Sequence, residues 1–382
     1  MVATLKLISV CTKEEDTMAK NLFIAAIDKD SGKTTTSICL MHLAQKKYQR
    51  VGFFKPFGGQ SLRFRRTVVD KDVALMAQVF DLKAAPGTMS PVVLTPSTTH
   101  KVVDGKISPD DLQEKILHAY AALEKECDFI IVEGSGHPGV GAVMNISNAR
   151  IARMLGTPVL LVTGGGLGNV VDRLALILPL FEKESVDVRA ILVNRLVAEK
   201  RERSLDYLRR ALKNEPFKVI SGFDYQPILA NPTLRRISSL LGLPVCGSRR
   251  DLQRIIYRVL VGAASTHRFI ELMQEPSLIL VTSSRDELLV TLAHLFGMPQ
   301  YRSLIVGLVI SGAAPIDPIT QQILDKSRIP YLRDELRTSA ELYQKIDRDV
   351  SKIVADDTEK LNLIRSLAEV SFDFDAIDEM FS

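Results

Sequence analysis

The chain has 382 residues, of which 46% are hydrophobic and 25% are charged, as expected of a globular protein with a sizeable core in two or three domains. The net charge of +4 is small, and no long basic run alternates with aromatic residues, so a nucleic-acid partner is not expected. The four cysteines form no C-x-x-C pair, so neither a disulfide framework nor a cysteine zinc site is indicated. No apolar run is long enough to cross a membrane, and we expect a cytoplasmic protein.

Residues 1–18 do not connect to the periodic pattern that follows, and we expect them to form a weakly ordered extension, or to be an artefact of start-codon choice with the natural start at Met18. From residue 19, apolar runs alternate with helical periodicity. Strands are predicted at 22–27, 51–55, 129–133, 158–163 and 188–193, and helices at 34–47, 71–80, 109–125, 147–154, 168–182 and 200–214. Strands separated by helices predict a parallel sheet covered by helices on both faces. We assign this α/β domain to residues 19–225.

A second, smaller α/β domain is predicted at residues 226–375, after a Pro-containing connection. Its predicted elements are a helix and a short strand within 233–247, helix 251–261, strand 278–282, helix 286–294, strand 304–311, helix 318–326 and a helical tail at 338–370.

The stretch from Leu22 to Leu40 has the order of a phosphate-binding loop. A buried strand runs into a loop that ends in Gly32-Lys33-Thr34-Thr35 and then into a helix. Such a turn aims backbone N–H groups and the positive end of the helix at one anion. Lys33 would then reach the β- and γ-phosphates, and Thr34 would hold Mg²⁺. The usual spacing is not met because residue 27 is Ile, so a chance Gly-Lys before a helix is the alternative.

Polar residues also stand at the ends of the other predicted strands, at Lys55, Glu133, Thr163 and Asn194. Open α/β sheets bind ligands at this edge. The ammonium of Lys55 would lie near a transferring phosphate, unless the lysine only snorkels from a strand end. Glu133 follows three apolar residues and needs a partner, which Mg²⁺ on a triphosphate would supply. Gly134 opens a Gly-rich loop that lets the backbone approach an oxyanion.

Two further positions have a functional and a structural interpretation. Asp70 and Asp72 start a predicted helix, where Asp is common as a cap, but their carboxylates are also suitable Mg²⁺ ligands. His137 in the Gly-rich loop is either a proton carrier or a structural hydrogen-bonding residue.

The loop AIDKDSGKT, Lys55-Pro56, Asp72 with its following V-A-L, and the strand end Glu133-Gly134 together resemble dethiobiotin synthetase. In this resemblance, Ala26 takes the position of the first Gly of the family's phosphate loop, and Asp28 takes the position of its Asp. The resemblance implies a P-loop domain that binds ATP with Mg²⁺. It implies catalytic roles for Lys33 and Lys55, and it places Asn194 where this subclass reads the base, usually adenine. The implied nucleotide contacts are Asp28, Ser31, Gly32, Lys33, Thr34, Thr35, Glu133, Gly134 and Asn194, and the implied Mg²⁺ ligands are Thr34, Asp72 and Glu133.

The second domain resembles the DRTGG domain that follows a dethiobiotin-synthetase-like domain in long-form bacterial phosphotransacetylases. The resemblance rests on ANPTLRRISSLLG, RRDLQRIIYRVLVGAAS, LILVTSSRDELLVTLA and VGLVISGAAPIDP, and on an F-K-P followed by Gln60 in the first domain. Residues 283–286 take the place of the name-giving motif and lack its glycines. Since the resemblance covers only the part of those enzymes before their acetyltransferase domain, we expect no acetyl transfer by this chain alone.

Two functions compete. In the favoured one, the chain is a nucleotide-responsive regulatory or partner-binding protein, a homo-oligomer whose further partner is a small anionic ligand or a protein, with no membrane partner. In the other, it is an ATP-dependent ligase of the dethiobiotin synthetase type that acts on a carboxylate or carbamate. The first is favoured because the substrate-side loop GGQSLRFRRTVVDKD, with Arg63, Arg65 and Arg66, does not look like that of dethiobiotin synthetase, and because a ligase does not need residues 226–370.

Overall fold

The computed structural model describes residues 19–28, 31–250, 252–349 and 352–382; the predicted extension 1–18 and Cys11 lie outside these ranges. The chain forms two compact units. One runs up to Tyr225 and includes Leu363–Ser382, and the other is Gln226–Asn362. The second domain predicted from sequence extends to residue 375, whereas residues from Leu363 onward pack with the first unit.

The first unit begins with the strand that leads into the predicted phosphate loop. Its strands are β1 Lys20–Ala26, β2 Val51–Phe54, β3 Phe57–Gly58, β4 Ser61–Phe64, β5 Thr67–Asp70, β6 Val92–Val93, β7 Phe129–Glu133, β8 Val159–Gly164, β9 Val188–Asn194 and β10 Lys218–Ser221. Its helices up to Tyr225 are α1 Lys33–Lys47, α2 Lys71–Val79, α3 Pro86–Met89, α4 Thr98–Val103, α5 Pro109–Glu124, α6 Asn148–Leu155, α7 Leu167–Lys183 and α8 Arg201–Ala211, with 3₁₀ turns at Ala142–Met144 and Ala198–Lys200.

The main sheet of this unit has the strand order β10-β9-β8-β1-β7-β2, and every neighbouring pair is parallel. Phe23 and Ala25 of β1 belong to a core with buried residues of α5, α6, α7 and α8. Leu22 and Ile24, which point to the opposite face, are equally buried, and α1 lies against β1, β2 and β7. The predicted parallel sheet with helices on both faces is therefore confirmed.

The chain end packs onto the first unit through helix α17 Phe374–Met380. The Asp378 carboxylate accepts hydrogen bonds from Lys20 Nζ at 3.2 Å and from the Tyr48 hydroxyl at 2.6 Å. The ring of Phe374 meets Phe129 edge-on at a centroid distance of 5.8 Å. These contacts explain why the C-terminal residues belong to the unit that the predicted boundary excluded.

The second unit is a smaller α/β layer structure. Its elements are α9 Pro227–Ala230, α10 Leu234–Leu241, β11 Val245–Cys246, β12 Arg258–Val261, α11 Thr266–Leu272, β13 Ser277–Thr282, α12 Asp286–Phe296, α13 Pro299–Arg302, β14 Ile305–Ser311, α14 Pro318–Ser327, β15 Tyr331–Asp334 and α15 Ser339–Asp347, and α16 Thr358–Ser371 starts in it. The sheet order is β11-β15-β14-β13-β12, parallel except for β11. Helices α11, α12 and α14 share a core with one face, and α10 and α15 with the other.

Two sequence predictions in this unit are wrong. Described residues of the predicted helix 251–261 form turns and then strand β12, which pairs in parallel with β13; Asp251 itself lies outside the described residues. A short apolar run cannot by itself distinguish a helix from a buried strand. The predicted tail helix 338–370 is interrupted after Asp347. Asp side chains offer hydrogen bonds that compete with those of a helix in this segment. Asp349 accepts two hydrogen bonds from Arg236, and Asp357 accepts one from the Val354 N–H.

No helix within the described ranges combines the length and apolar character that crossing a membrane requires.

Candidate functional site

The turn from β1 into α1 is shaped by Gly32. This residue has φ of 97°, a left-handed conformation that favours glycine. A Cβ atom there would lie 2.5 Å from Nδ2 of Asn194, so there is also no room for a side chain. No side chain caps the N-terminus of the 15-residue helix α1. Its first-turn N–H groups thus offer donors of the kind that bind an anion at a helix N-terminus.

A buried charge cluster lies beside this helix, and we call Lys55, Asp72 and Glu133 the Lys55 cluster. The ammonium of Lys55 is 2.8 Å from Asp72 Oδ2, 2.8 Å from Glu133 Oε1 and 3.3 Å from the carbonyl oxygen of Gly134. Lys55 is only 4% exposed and Glu133 is fully buried. The strands explain the meeting, because β2, which ends just before Lys55, pairs with β7, which ends at Glu133.

Opposing forces set the ionisation of this cluster. Burial lowers the pKa of Lys55, but the carboxylates of Asp72 and Glu133 outweigh burial and raise the pKa well above its usual value. Burial, with help from Asp72, raises the pKa of Glu133 against the opposing effect of Lys55. Burial and the neighbouring Asp72 also raise the pKa of Asp70, which caps α2 by accepting from the Asp72 N–H at 3.0 Å. The charged form of Lys55 is therefore strongly favoured, whereas the charged forms of Glu133 and Asp70 are less favoured than in water.

Two hydroxyl groups of α1 complete the surroundings of Glu133. Thr34 Oγ1 donates to Glu133 Oε1 at 3.2 Å, and Ser37 Oγ donates to Oε2 at 2.6 Å. The sequence analysis missed Ser37. The available signal was its spacing from Thr34, because residues three apart share one helix face.

The loop after β7 contacts the phosphate loop through Lys33, whose ammonium donates to the carbonyl oxygen of Gly136 at 2.7 Å. The buried side chain of Asn148 fixes this loop: it accepts from the Ser135 N–H at 3.0 Å and donates to the carbonyl oxygens of Ser135 and His137 at 2.8 and 2.9 Å. Sequence reasoning missed Asn148 because only tertiary contacts reveal its role. His137 is exposed, and its Nδ1 accepts from the backbone N–H of Gly139 at 3.3 Å, which agrees with the structural alternative.

The remaining predicted residues are Asp28, Ser31, Thr35 and Asn194. Asp28 Oδ2 is 2.9 Å from Nη1 of Arg173 in α7, and Ser31 Oγ donates to the carbonyl oxygen of Asp28 at 3.0 Å. Thr35 is half-buried in the first turn of α1. Asn194 is 1% exposed, and its Oδ1 has no hydrogen-bond partner within the described part of the chain. The amide nitrogen of Asn194 is the atom that faces Gly32, whereas Oδ1 lies on the side of Gly222. A buried amide oxygen without a partner is chemically suited to accept a hydrogen bond from a ligand.

Mg²⁺ prefers oxygen ligands, and Thr34, Asp72 and Glu133 supply only oxygen donors at this edge of the sheet. With Asp70 included, carboxylates outnumber the single ammonium of Lys55, so the donor chemistry fits a divalent cation. The described residues contain no group of three or more His, Cys, Asp or Glu side chains arranged to hold a metal. The fit is therefore to an ion whose coordination is shared with a nucleotide and water, as Mg²⁺ commonly is.

In the second unit, Ser283 is buried and follows β13, and Asp286 begins α12. The Arg285 guanidinium donates to the carbonyl oxygens of Gly262 at 2.8 Å and Ala264 at 3.1 Å. This arginine therefore supports the loop after β12.

Comparison with known proteins agrees with this geometry. A family model described as an AAA domain matches residues 20–247, which is more than half of the chain. The chain belongs to this AAA domain family. The AAA domain contains the phosphate loop, the Lys55 cluster and Asn194.

The chain is similar to several curated proteins. The chain is 24% identical over 349 residues to a phosphate acetyltransferase of Nitratidesulfovibrio vulgaris, covering 87% of this chain and 48% of that protein. It is 27% identical over 189 residues to an ATP-dependent dethiobiotin synthetase of Clostridium kluyveri, covering 47% of this chain and 75% of that protein. A cobyric acid synthase of Moorella thermoacetica is 30% identical over 224 residues, covering 51% of this chain and 41% of that protein.

The predicted resemblance to dethiobiotin synthetase and to phosphate acetyltransferase is thus confirmed. The chain spans about half the length of the phosphate acetyltransferases it matches. The DRTGG resemblance of the second unit stays a prediction.

Proposed function

We propose that the AAA domain binds ATP with Mg²⁺ and that the chain is a nucleotide-responsive regulatory or partner-binding protein that acts as a homo-oligomer. The observation that carries the proposal is the convergence of an uncapped helix N-terminus, Lys33 and the Lys55 cluster at one edge of the parallel sheet. A helix terminus and an ammonium attract phosphate, and the carboxylates attract its metal.

In this proposal the phosphates lie in the loop that ends at Gly32, with Lys33 and the N–H groups of α1 as donors. Thr34 and the carboxylates of Asp72 and Glu133 hold Mg²⁺ directly or through water. The metal supplies charge neutralisation between the phosphates and the buried carboxylates. Asn194 contacts the base through its amide group, and the support for this role is that its buried Oδ1 has no partner among the described residues while its Nδ2 faces Gly32.

Responsiveness to nucleotide is supported by the bond that Lys33 makes. Its ammonium donates to Gly136, so a phosphate competes with the loop after β7 for the same donors. Nucleotide arrival then changes the contacts of residues 134–137. A ligand shifts a protein between states only through interactions that differ between them, and this bond is such an interaction.

A regulatory role is favoured over a ligase role by the contacts of Lys55. A lysine ammonium has three N–H donors. Asp72, Glu133 and Gly134 provide three acceptors within 3.3 Å, so stabilising a transferred phosphoryl group would require Lys55 to give up a buried partner. The small anionic ligand or protein partner of the regulatory function remains part of this proposal.

The test is a calorimetric titration with ATP and Mg²⁺ of wild type, Lys33→Ala and the control Lys115→Ala, an exposed lysine of α5. Wild type and the control are expected to bind, and Lys33→Ala to lose most of the affinity. At ATP about 100-fold above its dissociation constant, wild type gains about 2.7 kcal/mol of stability. Equal binding by Lys33→Ala, or no binding by wild type, contradicts nucleotide binding at this loop. Rapid phosphate release with an added carboxylate or diamine favours the ligase instead.

A further inference from the structure

On the side of the phosphate loop away from the Lys55 cluster lies Arg173. Strand β1 has β7 on one side and β8 on the other, so the turn after β8 and the start of α7 flank the loop. Arg173 lies in the second turn of α7, and its Nη1 is 2.9 Å from Asp28 Oδ2 of the loop. Its Nε donates to Oδ1 of Asn169, one helical turn earlier, at 3.0 Å.

These contacts leave part of the guanidinium unused. Arginine has five N–H donors in a rigid planar fork. Asn169 and Asp28 engage Nε and Nη1, and no described residue forms a bond with Nη2. The fork is thus fixed at two points beside the loop while further donors stay available. The side chain is 40% exposed and Asp28 is 46% exposed, so a ligand has access to the pair.

We propose that Arg173 binds the phosphate chain of the nucleotide from the α7 side, with Asp28 and Asn169 as its positioning residues. This inference rests on the proposed function, since it requires a nucleotide in the loop. Planar donors that match phosphate oxygens in pairs are the usual reason for arginine at phosphate sites. The carboxylate of Asp28 by itself would repel phosphate. Paired with Arg173, it instead positions a guanidinium group that attracts phosphate.

A purely structural role makes a different prediction. If Arg173 only neutralises Asp28, Arg173→Ala weakens ATP binding by exposing the carboxylate, and removing both charges restores wild-type affinity. If Arg173 contacts phosphate, its loss weakens binding even when residue 28 is uncharged. Comparing Asp28→Asn with Asp28→Asn/Arg173→Ala therefore separates the two roles.

The experiment is calorimetric titration of the full chain with ATP and Mg²⁺. We expect Asp28→Asn/Arg173→Ala to bind at least about tenfold more weakly than Asp28→Asn, as expected when a charge-assisted hydrogen bond is lost. Asp28→Asn/Arg173→Lys, which keeps the charge at residue 173 but not the fork, should have an affinity between those of the other two variants. The control Arg153→Ala removes an exposed arginine of α6 and should bind as wild type does.

Equal affinity of Asp28→Asn and Asp28→Asn/Arg173→Ala would overturn the role of Arg173 while leaving nucleotide binding in place. Failure of both wild type and Asp28→Asn to bind ATP would instead overturn the proposed function, and this inference with it. All variants should fold, because ion pairs this exposed contribute little to stability, and thermal melting without nucleotide checks this.

Discussion

The substitution Lys55→Met tests how much the ion pairs of the Lys55 cluster contribute to stability. The substitution keeps the side chain close to the same volume but leaves Asp72 and Glu133 buried without the ammonium that lies 2.8 Å from each of them. Breaking a buried pair by removing one partner costs about 3–5 kcal/mol. At about 2–4 °C per kcal/mol for a unit of this size, the melting temperature should fall by about 6–20 °C.

The loss should also depend on pH. The pKa of Glu133 is already raised in the folded protein, chiefly by burial, so the stability linked to this group is present at low pH and is lost as pH rises through the folded pKa. Removing the ammonium raises that pKa further. The loss of stability in Lys55→Met should thus be larger at about pH 8 than at about pH 5, because protonation of Glu133 is favoured as pH falls and relieves its buried charge.

Denaturant unfolding of wild type, Lys55→Met and Lys55→Met/Glu133→Gln at the two pH values measures this effect. The double variant should recover part of the stability at the higher pH because it removes one unpaired charge. A loss that is equal at both pH values and is not recovered by Glu133→Gln would show that packing, and not charge, explains the effect, and it would refute the reasoning.

Three further predictions concern the same edge of the sheet. Glu133→Gln should fold but lose the Mg²⁺-dependent part of ATP affinity; calorimetry with and without Mg²⁺ checks this, and an unchanged Mg²⁺ dependence removes Glu133 from the site. Gly32→Ala should lose about 1–3 kcal/mol because of its positive φ and the contact with Asn194, so a change within the error of denaturant unfolding contradicts the described turn. Asn148→Ala should lose about 2–4 kcal/mol with its three loop hydrogen bonds and speed amide exchange at 135–137; unchanged exchange there would argue against its role.

The central strands of the main sheet could be predicted from sequence because they are 5–7 residues long, apolar and mostly buried. Strand 129–133 was predicted at its observed bounds. Ligands bind at the carboxyl ends of the strands in an open parallel sheet. This rule predicted that Lys55, Glu133 and Asn194 lie at one edge of the sheet with the phosphate loop, as they do in the structure. It could not state which of these groups pair, because that depends on the order of the strands in the sheet.

The elements that were missed carry weak local signals. The hairpin β4–β5 turns through Arg65 and Arg66, both with positive φ, where glycine or asparagine is the usual signal. Strand β10 is short, only partly buried and at the sheet edge, so its apolar pattern is faint. Arg173 was missed because its role depends on α7 lying beside the loop, which no local pattern encodes.

The most direct test of the account is hydrogen exchange of the full chain with and without ATP and Mg²⁺, with Lys33→Ala as the control and self-association measured in parallel. The account predicts protection at the phosphate loop and altered exchange at 134–137, together with a change in residues 226–362 or in oligomeric state, all absent in Lys33→Ala. Coupling between sites requires a state that both sites influence. Protection confined to residues before Gln226, with unchanged self-association and fast phosphate release on a carboxylate or diamine, would contradict the account.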